Sequence, residues 1–185
     1  MPLTQVQGGM ILPSTTLTTP IVATTIGVGG ATPATSGSGI TFPATQSASS
    51  DANTLDDYEE GSWTPTIIGA TFSNQTWRTG RYVKIGKVVY INWDFSGDFS
   101  SIAGQANIGG LPFAPVTSIN FGGYFTVQLR DSYALNTSFT NPLTGWFSDE
   151  SAIVLEQSMR GPSSSVSWLA GSALRCTGNG WYFTT

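Results

Sequence analysis

The chain of 185 residues contains no histidine and one cysteine, and only 10% of its residues are charged. Without histidine, the side chain most often used as a general base and as a metal ligand is missing. No nucleophilic triad built around an imidazole can form. One cysteine excludes an intrachain disulfide, and Cys176 is expected as a small core residue. The seven basic residues offer no cluster to neutralise phosphates; with a net charge of −4 and a pI near 4.5, no nucleic-acid partner is expected. No apolar run reaches the ~18 residues of a membrane span, so no membrane insertion is expected. The start has neither the basic segment nor the continuous apolar stretch of a signal peptide. Met1 is therefore expected as the start of a protein made and assembled in a cytoplasm. No cofactor and no metal is expected.

Charge is also missing unevenly. Residues 1–50 carry none at all, whereas Asp51, Asp56, Asp57, Glu59 and Glu60 crowd into the next ten positions. Aromatic residues change at the same place: every one but Phe42 and Tyr58 follows residue 60. So abrupt a shift implies parts with different tasks. The expected division is an extended Thr/Ser/Gly-rich N-terminal segment over 1–49, an acidic joint over 50–62, and a β domain over 63–185.

The N-terminal segment has two apolar knots, Met10-Ile11-Leu12 and Ile21-Val22, with Ile26 and Val28 shortly after. Composition leaves two readings level: a flexible low-complexity tail, or a segment that orders only against copies of itself or a docking surface. In the joint, Thr54-Leu55-Asp56-Asp57 fits a capping box, which predicts a short helix closed by Gly61. Asp56, Asp57, Glu59 and Glu60 are also calcium-type oxygen ligands, but they lack the alternating spacing of a calcium loop, so a solvated acidic turn is the expectation.

After Trp63 the hydrophobic period is two. Val89, Ile91, Trp93 and Phe95 are expected inward with Asn92 and Asp94 outward. Phe121, Phe125, Val127 and Leu129 are expected on one face, with Tyr124, Thr126, Gln128 and Arg130 on the other. Arg81–Lys87 reads as a hairpin turn in which Gly86 takes positive φ. Weaker strands are expected at Gln105–Ile108, Ile153–Gln157, Val166–Leu169 and Trp181–Thr184, and turns at Gly69–Gln75, Ser96–Gly104 and Gly178–Gly180 among others. The fold class is all-β, an antiparallel β-sandwich or jelly roll.

Chemistry is sparse. Asp94, Asp98, Asp131, Asp149, Glu150 and Glu156 could supply the facing carboxylates of a glycosidase, yet no motif marks out two of them, so no catalytic residue is assigned. Binding is better supported, because six Trp and six Tyr exceed what one small core needs. Sugar rings stack on aromatic faces that also offer a polar edge. Trp77, Tyr133 and Trp146 lie in or beside predicted loops and are the glycan-contact candidates. Trp63, Trp93 and Trp181 are assigned to the core.

The segments Gly39-Ile-Thr-Phe-Pro-Ala-Thr-Gln46 and Ser50-Asp-Ala-Asn-Thr-Leu-Asp-Asp-Tyr-Glu-Glu-Gly-Ser-Trp-Thr-Pro65 resemble a module of tailed-bacteriophage tail-fibre and related virion proteins. Gly80-Arg-Tyr-Val-Lys-Ile-Gly86 and Gly110-Leu-Pro-Phe113 continue the likeness, which covers residues 39–113 well and the rest loosely. Leu3-Thr-Gln-Val-Gln-Gly-Gly9 looks like the start of such fibres. The resemblance implies a non-enzymatic virion protein, a homotrimer docked on other virion proteins through residues 1–50 and presenting its β domain to a host-surface glycan. Its short length implies a stubby fibre or one piece of a composite. A capsid decoration, head fibre or tail adaptor is the alternative. A polysaccharide depolymerase is disfavoured, because no solenoid repeat is present.

Overall fold

The computed structural model describes residues 24–46, 49–51, 53–116, 123–130, 143–147, 152–157, 164–165 and 173–184. The chain divides into two compact units, Met1–Thr45 and Gln46–Thr185. No helix occurs among the described residues.

In the first unit, β1 (Thr25–Gly27) pairs parallel with β2 (Gly39–Thr41), with Ile26 opposite Ile40. The connection reverses through Gly29 and Gly30, at φ 57° and 81°. Threonine content has a local use here: the Thr25 hydroxyl donates to the Ala34 carbonyl, and the Thr41 hydroxyl accepts from the Ala34 N–H at 3.1 Å. Side chains thus satisfy backbone groups that a short two-stranded sheet cannot. Ile26 and Ile40 nevertheless remain 47% and 57% exposed.

The second unit is built from β3 (Tyr58–Trp63), β4 (Thr66–Ile85), β5 (Val88–Gly109), β6 (Tyr124–Arg130), β7 (Leu143–Phe147), β8 (Ile153–Gln157), β9 (Ser164–Ser165) and β10 (Ala173–Phe183). All pairings are antiparallel, in the order β3-β4-β5-β10-β6-β7-β8-β9. β5 pairs with β10 from Val88 to Asp98 and with β8 at Asn107 and Ile108. The five strands β5, β10, β6, β7 and β8 therefore close a ring. The all-β expectation holds; the pairing runs through one sheet that turns back on itself, and two separate sandwich layers are not distinguished.

Strand parity follows the sequence pattern in Val89–Phe95 and Tyr124–Gln128; Phe121, the side chains of Leu129 and Arg130, and the expected strand Val166–Leu169 lie outside the described residues. Val89, Ile91, Trp93 and Phe95 are buried with Phe125, Val127, Ile108, Ile153, Cys176 and Tyr182. Gly86 (φ 54°) and Lys87 form the two-residue turn between β4 and β5. Three expected turns are instead strand. Gly69–Gln75 lies inside β4, where Gly69 (φ 83°) and Asn74 (φ 49°) accompany register irregularities that bend the strand. Ser96–Gly104 lies inside β5, and Gly178–Gly180 inside β10.

The glycines in β4 and β10 have a packing reason. Across the inner face, Trp63 is opposite Gly80, Gly80 opposite Trp93, and Trp93 opposite Gly178. A Cβ on Gly80 would overlap the Trp63 indole, and one on Gly178 the Trp93 indole. Gly180 leaves the same room for the Phe125 ring, and Gly145 leaves room chiefly for Ile153. Each missing side chain is the slot for a neighbouring one.

The acidic joint belongs to the second unit and is not helical. Asp51 closes an Asx turn on the Asn53 N–H (2.8 Å), and Asp56 accepts from the Ser49 N–H at 2.7 Å. Asp57 is buried in an ion pair with Lys84, on the adjoining strand. The capping-box helix is replaced by these contacts because the carboxylates find partners across the sheet instead of along a helix. The second described motif, residues 80–85, pairs with Tyr58–Trp63 in register. The third supplies Phe113, whose ring lies 5.3 Å from Lys84 Nζ and edge-on to Tyr82. Three segments far apart in sequence thus meet around Lys84.

Candidate functional site

The inner parity fills the core, so the outer parity of β3, β4, β5, β10 and β6 makes a continuous face. Register places its residues in rows. One row runs Glu60, Val83, Tyr90, Trp181, Tyr124; the next runs Ser62, Arg81, Asn92, Asn179, Thr126. An open trough of about 690 Å³ lies over these rows, lined by Glu60, Arg81, Tyr90, Asn92, Asn179 and Trp181 among others. A second depression of about 350 Å³ is lined by Ser62, Thr79, Arg81, Asn92 and Asp94.

The aromatic row is exposed to a degree that core packing does not explain. Tyr90 is 51% and Tyr124 72% exposed. Trp181 is half-buried between them, its ring 6.2 Å from Tyr124 and 5.5 Å from Phe183. The assignment of Trp181 to the core is therefore corrected: Tyr182 takes the inward position opposite Val89, and Trp181 points to the outer side opposite Tyr90. Trp63 and Trp93 are buried as expected.

Beside the rings lies a hydrogen-bonding strip. Asn92 Oδ1 accepts from the Arg81 backbone N–H at 3.2 Å, which fixes the amide on the face. Asn179 and Thr126 are exposed alongside it. The Arg81 guanidinium, among the described residues, has no hydrogen-bond or ion-pair partner. Glu60 accepts from the Tyr58 hydroxyl at 3.0 Å, and that bond raises the Tyr58 pKa.

Trp77 stands on the same face, 51% exposed, six residues along β4 from Val83 and thus about 20 Å from the aromatic row. The Arg175 guanidinium lies 5.8 Å from its ring centroid and grips Asp94 through two bonds of 3.0 and 2.6 Å. Of the other two candidates, Tyr133 lies outside the described residues. Trp146 is in β7 opposite Val154, and its side chain lies outside the described set. Sequence reasoning missed Tyr90, Trp181 and Arg81. Tyr90 shares the parity of Asn92 and was readable from it; Trp181 was not, because Trp181-Tyr182-Phe183 has no polar residue to set a parity.

Among the described residues, the remaining titratable groups offer no reactive centre. Burial pushes the Cys176 thiol up to about 12, which leaves it an inert core group. The hydrogen bond to Glu59, aided by burial, raises Tyr82 to about 12. The five carboxylates of the joint part company: Asp51 to the Asn53 N–H, Asp57 to Lys84, Asp56 to Ser49 and Gln46, Glu59 to Tyr82, Glu60 to Tyr58. What the face can do is stack flat apolar rings and hydrogen-bond the groups at their edges.

No family model matches this chain, and no curated protein or solved structure matches it.

Proposed function

We propose that this chain is a tailed-phage virion protein, a short fibre that docks through its N-terminal unit and adheres to host-surface glycan through the outer face of its β unit. The observation that carries adhesion is the row Tyr90, Trp181, Tyr124 beside the strip Asn92, Asn179, Thr126 on one sheet face. Pyranose rings have apolar faces and hydroxyl edges, and this pairing of aromatic and amide groups matches both. The fibre reading is supported by the resemblance over residues 39–113, whose motifs meet around Lys84. The exposed Ile26 and Ile40 of a two-stranded sheet support association with further copies or a docking surface, since such a sheet needs further apolar cover to be stable; the homotrimer follows from the resemblance.

The test is competition for cell adsorption. Added full-length chain is expected to block adsorption of particles to their host, and the Tyr90→Ala/Tyr124→Ala variant to block it at least about tenfold less well, from the loss of two stacking contacts. Both substitutions are on exposed side chains, so unfolding curves should be unchanged. Equal blocking by the variant would remove the adhesion face.

A further inference from the structure

We propose that the trough accepts an acidic saccharide, with Arg81 receiving an anionic group carried on a sugar whose ring stacks on Tyr90 and Trp181. This rests on the adhesion reading and adds the chemical class of the ligand.

Arg81 differs from the cations around it. Lys84 is consumed by Asp57, Arg175 by Asp94, and Arg78 Nε donates to the Pro65 carbonyl at 3.2 Å. Arg81 lines both depressions of the outer face, and its guanidinium has no partner among the described residues. It sits one pleat from the aromatic row, flanked by Ser62 and Asn92 in register. A planar fork of donors at that place matches a carboxylate, phosphate or sulfate. The Asn92 carbonyl oxygen is already occupied by the Arg81 N–H, so its amide N–H groups are left for the ligand.

Glu60 limits the charge of the ligand. It lines the same trough with its carboxylate held by Tyr58. A densely anionic polymer would be repelled there, whereas a sugar hydroxyl would be accepted. The fit is to one acidic group per few sugar rings, with neutral rings on either side.

The experiment is binding of the full chain to a saccharide panel in which neutral oligosaccharides are matched with uronate-, phosphate- and sulfate-bearing ones. The wild type is expected to prefer acidic members by about tenfold or more, with the preference shrinking as salt is raised. Arg81→Gln is expected to abolish the preference and leave residual stacking affinity; Arg81→Lys is expected to restore part of it. Unfolding curves of both variants check that the exposed substitution leaves the fold intact. Equal binding of acidic and neutral members, or a preference that survives Arg81→Gln, would overturn the acidic class and leave glycan adhesion standing. Binding to no saccharide would overturn both.

Discussion

Lys84 shows how much a single side chain organises here. Its ammonium is buried with Asp57, is 3.2 Å from Gln46 Oε1, and lies over the Phe113 ring. Removing one member of a buried pair strands the other charge, so Asp57→Ala or Lys84→Met is expected to cost about 3–5 kcal/mol in urea unfolding. The double variant should lose less than the two singles summed. Asp56 and Tyr82 contribute to the pH dependence of stability at opposite ends. The Ser49 N–H holds Asp56 below its ordinary value of 3.8. A depressed carboxyl contributes stability above its unfolded value and loses it as pH falls through the folded one. Asp56→Asn should therefore flatten the loss of stability below about pH 4. Tyr82 is raised to about 12, so its contribution is full below 10 and lost between pH 10 and 12. Tyr82→Phe should remove that share of the alkaline loss and leave the shares of Tyr182, Tyr58 and Cys176, which are raised as well, as read from chemical unfolding at stepped pH.

At the scale of the elements, ring and glycine alternate across strands. Gly80→Ala and Gly178→Ala are expected to destabilise by about 1–3 kcal/mol through overpacking, with a change in tryptophan fluorescence as Trp63 or Trp93 is displaced. An unchanged spectrum and stability would contradict the interlocking. The same feature explains what was legible in the sequence. The first part of β5 could be read because Val89, Ile91, Trp93 and Phe95 alternate with polar residues, whereas Ser96–Gly104 within it reads as a turn. β10 could be read only from Trp181 onward, because Gly178-Asn179-Gly180 carries a turn signature while its glycines serve rings on neighbouring strands. Pairing supplies that information, and a local window does not contain it. The joint misled for a related reason: Thr54-Leu55-Asp56-Asp57 satisfies a helix rule, yet Lys84, 27 residues beyond Asp57, offers the stronger partner. The outer face was half legible. Tyr124 and Asn92 were placed outward by parity, but their meeting with Trp181 and Asn179 depends on β10 lying between β5 and β6.

The whole molecule joins an uncharged N-terminal unit to a β unit with an exposed aromatic face. If the first unit assembles copies, the full chain should sediment at three times 19.5 kDa, and Ile26→Asp/Ile40→Asp should return it to monomer. Removing residues 1–45 should leave the β unit folded, because Gln46–Thr185 forms a compact unit with its own core. Such a truncation is expected to be missing from assembled particles. The most direct test is immunogold electron microscopy of intact particles with antibody against residues 61–185. Gold at the tail or baseplate is the predicted result. Gold over the capsid shell would make the protein a decoration or head fibre, and no gold on any particle would contradict the virion assignment.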